Sequence, residues 1–200
     1  LSIDEGYIKF ESDWTPGPAA DGNLTALLDR WRRPLYEAGL IGHYDELGVG
    51  YGNLSVRGGA GREFVISGTQ TGRLESTSGQ HYARVTDYDI DANRVCSTGP
   101  VEASSESLTH AAIYELDPAI AGVVHVHSKP LWQSLLGRLP TTADGVSYGT
   151  PGMAREFERL YHDTDFATTG VAVMAGHEEG IIAFGASLEE AANRILALSA

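Results

Sequence analysis

One stretch, Gly122-Val-Val-His-Val-His-Ser128, constrains the fold more than any other part of the chain. Val123, Val124 and Val126 are β-branched and sit in a short apolar run, which predicts a buried strand. Alternate side chains of a strand share a face, so His125 and His127 point the same way. Two imidazoles projecting from one strand are half of a tetrahedral metal site, or two of the three protein ligands of a catalytic one. For an isolated His-x-His, a hydrogen-bonded pair at a strand end is the plainer reading. The rest of the chain has to decide between the two.

The 200 residues carry no internal repeat and no low-complexity linker, which predicts one domain over 1–200 opened by an N-terminal arm over 1–22. Tyr7 and Trp14 are candidate anchors of that arm, on the domain or on a neighbouring subunit. Leu24, Leu27, Leu28, Trp31 and Leu35 recur at helical spacing, with Asn23 as N-cap, Pro34 as a kink or break and Gly39 as the stop. Arg30, Arg32 and Arg33 then read as the wet face of this helix.

Gly48 to Arg57 is glycine-dense and turns into a short strand. Asn53 there could aim its amide at a small anion or hydroxyl, although an ordinary turn is the simpler reading. A second strand, Glu63 to Ser67, runs into Gly68-Thr-Gln-Thr-Gly72. Such a loop offers N–H groups and hydroxyls to a phosphate or carboxylate, and without a Walker lysine it is not a P-loop. Residues 81–96 read as a hairpin. Ser104 or Ser105 should cap a helix reaching Leu116, and a helix start carrying two hydroxyls suits an anion. Glu106 falls in its first turn, and His110 one turn later is a packed histidine or a ligand.

Short helices follow at Pro130–Leu136 and Met153–Tyr161. Val171–Met174 reads as a buried strand paired with Gly180–Gly185, which puts His177 at a strand-to-turn junction on a rigid sheet. Ser187 and Glu190 form a capping box for the last helix.

A net charge of −13 argues against nucleic acid or an anionic membrane as partner, because no basic cluster interrupts the acidic surface. The lone Cys96 excludes an internal disulfide and a cysteine-built zinc site. No apolar run is long enough to span a bilayer and no signal-peptide pattern opens the chain, so a cytoplasmic location is expected.

Taken in order, Gly52-Asn-Leu-Ser-Val-Arg57, Thr71-Gly72, Ser104-Ser-Glu106, His125-Val-His127, Tyr148-Gly-Thr-Pro-Gly-Met153 and His177 resemble the class II aldolase/adducin family, from about Leu24 to Leu198. The resemblance implies an α/β fold of three layers, α/β/α, with a mostly antiparallel central sheet. It implies a divalent metal, commonly zinc, on His125, His127 and His177, with manganese, cobalt or iron also acceptable to imidazoles. Glu106 becomes the catalytic acid/base. Asn53, Thr71, Gly72, Ser104 and Ser105 become the substrate phosphate site, and Tyr148 a catalytic residue reaching in from the adjacent subunit of a homotetramer. This chain departs from the family in three places. The loop Ser67–Gly72 is one residue longer, His177 is followed by Glu178-Glu179-Gly180 rather than directly by Gly, and the C-terminal tail is short. These departures are expected to affect substrate choice more than metal binding.

The implied reaction is metal-dependent lyase chemistry, a retro-aldol cleavage of a small ketose phosphate or related hydroxy-carbonyl compound through an enediolate held by the metal. An epimerase, dehydratase or decarboxylase would use the same metal. A non-catalytic assembly module of the adducin type would be expected to lack the three histidines and Glu106, which are all in place here.

Overall fold

The computed structural model describes residues 6–59 and 61–199, so the first five residues of the predicted arm lie outside the described chain. In order, its elements are β1 (Glu11–Pro16), α1 (Gly22–Glu37), β2 (Gly42–Tyr44), β3 (Val49–Tyr51), β4 (Asn53–Arg57), β5 (Phe64–Ser67), β6 (Tyr82–Asp89), β7 (Arg94–Gly99) and α2 (Ser107–Leu116). They continue with β8 (Gly122–His127), α3 (Lys129–Leu135), α4 (Pro151–Asp163), α5 (Phe166–Thr169), β9 (Val171–Val173), β10 (Gly180–Gly185) and α6 (Leu188–Leu198).

Eight strands make one sheet in the order β1-β7-β6-β5-β4-β8-β10-β9, while β2 and β3 form a separate hairpin. Every neighbouring pair in the large sheet is antiparallel except β1 with β7. The valine run becomes β8, an interior strand buried along its whole length. Val123 packs on one face with Leu108, Tyr114, Met153, Phe157 and Phe166 from α2, α4 and α5. Val124 and Val126 pack on the other with Leu28 and Leu35 of α1 and Leu188, Ala191 and Ile195 of α6. Each such aliphatic side chain, fully buried, contributes about 1.5–3 kcal/mol. The result is the three-layer α/β/α arrangement with a mostly antiparallel sheet. By strand alternation, His125 and His127 lie on the Val123 face, under α2 and α4.

Four local expectations need correction. The cap of α1 is Asp21, whose Oδ1 accepts from Asn23 N at 2.8 Å and Leu24 N at 3.3 Å. This helix runs unbroken through Pro34, which sits in its last turn and so removes only one hydrogen bond close to the helix end. Arg32 is not on a wet face: it is 2% exposed. Finally, α2 begins at Ser107 rather than at the serines before it. Ser104 makes the turn that leads in, its Oγ accepting from Glu106 N and its carbonyl from Ser107 N. Among the described residues no helix is long and apolar enough to cross a membrane.

Candidate active site

His125 and His127 leave β8 on one face, and the β9–β10 hairpin carries His177 over them in its connecting turn. That turn is closed by His177 N donating to Met174 O and Gly180 N donating to His177 O. His127 Nε2 lies 3.0 Å from His125 Nε2 and 3.1 Å from His177 Nε2. Room for the three rings depends on Gly180, where a Cβ would meet His177 Cδ2 at 2.7 Å and His125 Cε1 at 3.2 Å. All three histidines are buried. Burial disfavours the charged imidazolium, pushing His125 down to about 3 and His127 and His177 well below their ordinary value, with neighbouring histidines adding to the effect on the latter two. Neutral imidazoles are the form that binds a metal.

Glu106 stands at the N-terminal end of α2, wholly buried, with Oε1 3.3 Å from His177 Nε2 and 3.8 Å from His125 Nε2. Among the described residues neither carboxyl oxygen makes a well-formed hydrogen bond, and the polar groups that favour its ionised form are Thr109 and Lys9. Burial pushes its carboxyl up to about 8. Three imidazole nitrogens and a buried carboxyl group thus face one another, and ionising that carboxyl without a nearby cation is costly. A divalent cation answers both deficits, and the donor set fits one.

Beside this cluster lies a small cleft lined by Gly50, Asn53, the Gly68–Gly72 loop, Ser104 and Ser105. It therefore brings together all five residues expected to hold a phosphate. Asn53 sits opposite His125 in the β4–β8 register, which ties the cleft to the histidines. Its Oδ1 is buried with no partner among the described residues. The Thr71 hydroxyl is used within the loop, donating to Gly68 O at 2.8 Å.

The loop is gripped from behind by Arg32, a residue that the sequence reading placed in solvent. One guanidinium nitrogen donates to Thr71 O at 3.1 Å and Gly72 O at 2.9 Å, and the other to Glu75 O at 3.3 Å. A trans peptide sends its N–H opposite to its carbonyl, so pulling the Thr71 carbonyl towards Arg32 turns Gly72 N–H away from it. Gly50 lies on that side, where even a Cβ would come 3.1 Å from Gly72 N. A signal for Arg32 was present: with Leu28 and Leu35 it occupies a single helical stripe, and both leucines are core.

Tyr148 is placed differently from its expectation. It is fully buried in its own chain, with its ring 4.4 Å from that of His177. Its hydroxyl donates to Tyr7 O and accepts from Tyr7 N, both at 3.1 Å. Tyr148 therefore reaches His177 from within its own chain. Lys9, for which the sequence offered no signal, stands with Nζ 3.8 Å above the Tyr148 ring. His110 proves to be a packed histidine, its Nδ1 2.7 Å from Ser55 Oγ.

A family profile described as Class II Aldolase and Adducin N-terminal domain matches residues 37–200. Among solved structures, the chain is similar to YgbL from Escherichia coli, described as a candidate aldolase/epimerase/decarboxylase. The two are 21% identical with a TM-score of 0.66, over 89% of this chain and 86% of that one. An L-fuculose 1-phosphate aldolase gives 17% identity and a TM-score of 0.66, over 90% and 85% of the two chains. A sugar-phosphate aldolase from Thermotoga maritima gives 15% and 0.62, over 88% and 90%. At these identities the likeness is one of fold. No curated protein sequence matches the chain.

Proposed function

The chain belongs to the class II aldolase and adducin N-terminal domain family, and we propose that it is a divalent-metal lyase performing retro-aldol cleavage of a small ketose phosphate or related hydroxy-carbonyl compound. One observation carries the reading: three imidazole Nε2 atoms meet with the buried Glu106 carboxyl beside them. His125, His127 and His177 would hold the ion. When bound, a divalent ion supplies a Lewis acid that draws electron density from the substrate's oxygens.

The chain's own groups do the rest. Breaking the C–C bond leaves an electron pair on one carbon, which needs a proton, and frees the proton of the cleaved hydroxyl. Glu106 is suited to move that proton, because its carboxyl stands beside the three histidines and burial strengthens its hold on a proton. The cleft would anchor an anionic substrate end on Gly72 N–H, the Asn53 amide and the hydroxyls of Ser104 and Ser105, with the Arg32 charge behind the loop favouring it. Because the Tyr148 hydroxyl is engaged by Tyr7, we assign Tyr148 to packing His177 rather than to proton transfer. Among the described residues Glu106 is then the acid/base beside the three histidines, and a single such group suits bond cleavage, whereas an epimerisation needs donors on both faces of a carbon. The homotetramer implied by the resemblance now rests on family membership alone.

The test is Glu106→Gln in the metal-replete enzyme, assayed with dihydroxyacetone phosphate and hydroxy-aldehydes in the synthetic direction. Turnover should fall by about 10²–10⁴-fold with metal content kept. Undiminished turnover would remove Glu106 from the chemistry.

A further inference from the structure

His127 offers Nε2 to the histidine cluster, and its other ring nitrogen faces outward to Tyr44, the last residue of β2. Tyr44 Oη lies 3.2 Å from His127 Nδ1 and 2.7 Å from Glu179 Oε2. The direction of this chain of hydrogen bonds is fixed by what each group can do. An ionised carboxylate only accepts, so the Tyr44 hydroxyl proton is given to Glu179. Oη is then left as an acceptor towards His127, and Nδ1 must carry the ring hydrogen. A neutral imidazole protonated on Nδ1 presents Nε2 as a bare lone pair, turned to His125 and His177.

Two further features favour a purpose for Glu179. Its backbone has φ +72°, a left-handed conformation in which glycine is the unstrained residue. The turn itself needs only the backbone of this position, whose carbonyl accepts from Ser128 N at 3.0 Å. A side chain is kept there at a conformational cost. The Tyr51 ring, 4.4 Å from that of Tyr44 and 5.6 Å from that of His127, packs over the link and shields it. By contrast the preceding Glu178 is half-exposed and pairs with Lys129 at 2.9 Å.

We propose that Glu179 and Tyr44 are positioning residues, a carboxylate–tyrosine relay that holds His127 in its metal-binding tautomer and strengthens it as a donor. The inference rests on the metal reading above. It turns the Glu178-Glu179 departure from the family pattern into a feature of metal binding rather than of substrate choice.

The experiment measures Zn2+ affinity of the full chain by competition with a chromogenic chelator, together with the visible spectrum of the Co2+-loaded protein. Tyr44→Phe and Glu179→Gln should each weaken Zn2+ binding by about 10–100-fold and shift the Co2+ bands. The double variant should lose no more than the worse single one, since both cut one relay. Glu179→Gly relieves the backbone, so it should melt no lower than wild type yet weaken Zn2+ binding equally, which a structural role for Glu179 would not produce. Glu178→Gln, one residue away with the same change of charge, should bind Zn2+ as wild type does. Wild-type affinity and spectrum in Tyr44→Phe and Glu179→Gln would overturn the relay, provided His125→Ala has lost the ion. If His125→Ala binds Zn2+ as wild type does, the three-histidine reading has failed and takes the relay with it.

Discussion

The two ends of the candidate site are built by different means. At the histidine end the side chains project from β8 and from the turn between β9 and β10, inside a sheet with a helix layer on each face. Their spacing follows from strand pairing: Gly180 sits opposite His127 and Asn53 opposite His125. At the cleft end Thr71 and Gly72 belong to a glycine-rich loop, tied down by Gly68 N donating to His81 O, Thr69 N donating to Glu102 O and the buried Arg32 guanidinium from α1. A sheet positions side chains through a cooperative ladder of bonds, whereas a loop of this kind is only as well formed as the contacts that tie it down. The comparison separates a rigid metal end from a supported anion end, and each end should fail in its own way.

The largest effect is expected at the supported end. Arg32→Met keeps much of the packing but removes the Gly72 carbonyl's donor, while the Thr71 carbonyl keeps Leu74 N, which should cost about 1–3 kcal/mol in urea unfolding. Inorganic phosphate binding should weaken at least tenfold, while Zn2+ affinity stays that of wild type. Loss of both affinities together would mean that the two ends are one cooperative unit, and the comparison would fail.

A smaller effect, confined to the rigid end, should appear in the pH dependence of the metal-free protein. The buried histidines are held below the unfolded value of 6.5, so below that pH the unfolded chain binds more protons and stability falls as pH falls. Glu106 works the other way. Held at about 8 against 4.5 unfolded, it binds more protons in the folded state, so stability declines as pH rises towards 8. The melting temperature of wild type should therefore pass through a maximum near 6.5 as far as this cluster decides it. In Glu106→Gln the decline on the alkaline side should shrink or vanish, and Zn2+ should suppress it in wild type by favouring the ionised carboxyl. An alkaline decline of equal size in both proteins would place its origin elsewhere.

The same contrast explains how much could be read from the sequence. At the metal end, short-range periodicity gives a valine-rich strand with two histidines on one face, and the family pattern adds His177 from the hairpin turn. The family pattern assigned the five cleft residues, and the cleft brings them together. What was misread depends on contacts between residues far apart in the chain. Arg32 looks solvated because arginine usually is, until three backbone carbonyls some forty residues on turn out to need its donors. Tyr148 followed the family's context for a tyrosine from a neighbouring subunit, but Tyr7, 141 residues away, binds its hydroxyl within the same chain. Helix α2 starts late because Ser104 uses its carbonyl and hydroxyl to make a turn that leaves the Glu106 side chain free to enter the cluster. Local propensity favoured the serine cap, and the burial of Glu106 overrode it.

The most direct test of the central claim is the metal content of purified protein, measured by elemental analysis after loading with Zn2+ and dialysis. Wild type should hold about one ion per chain, and His125→Ala, His127→Ala and His177→Ala should each lose it while still folded by circular dichroism, as expected of a site with three protein ligands. A wild type that retains no ion, or three variants that all keep theirs, would contradict the account.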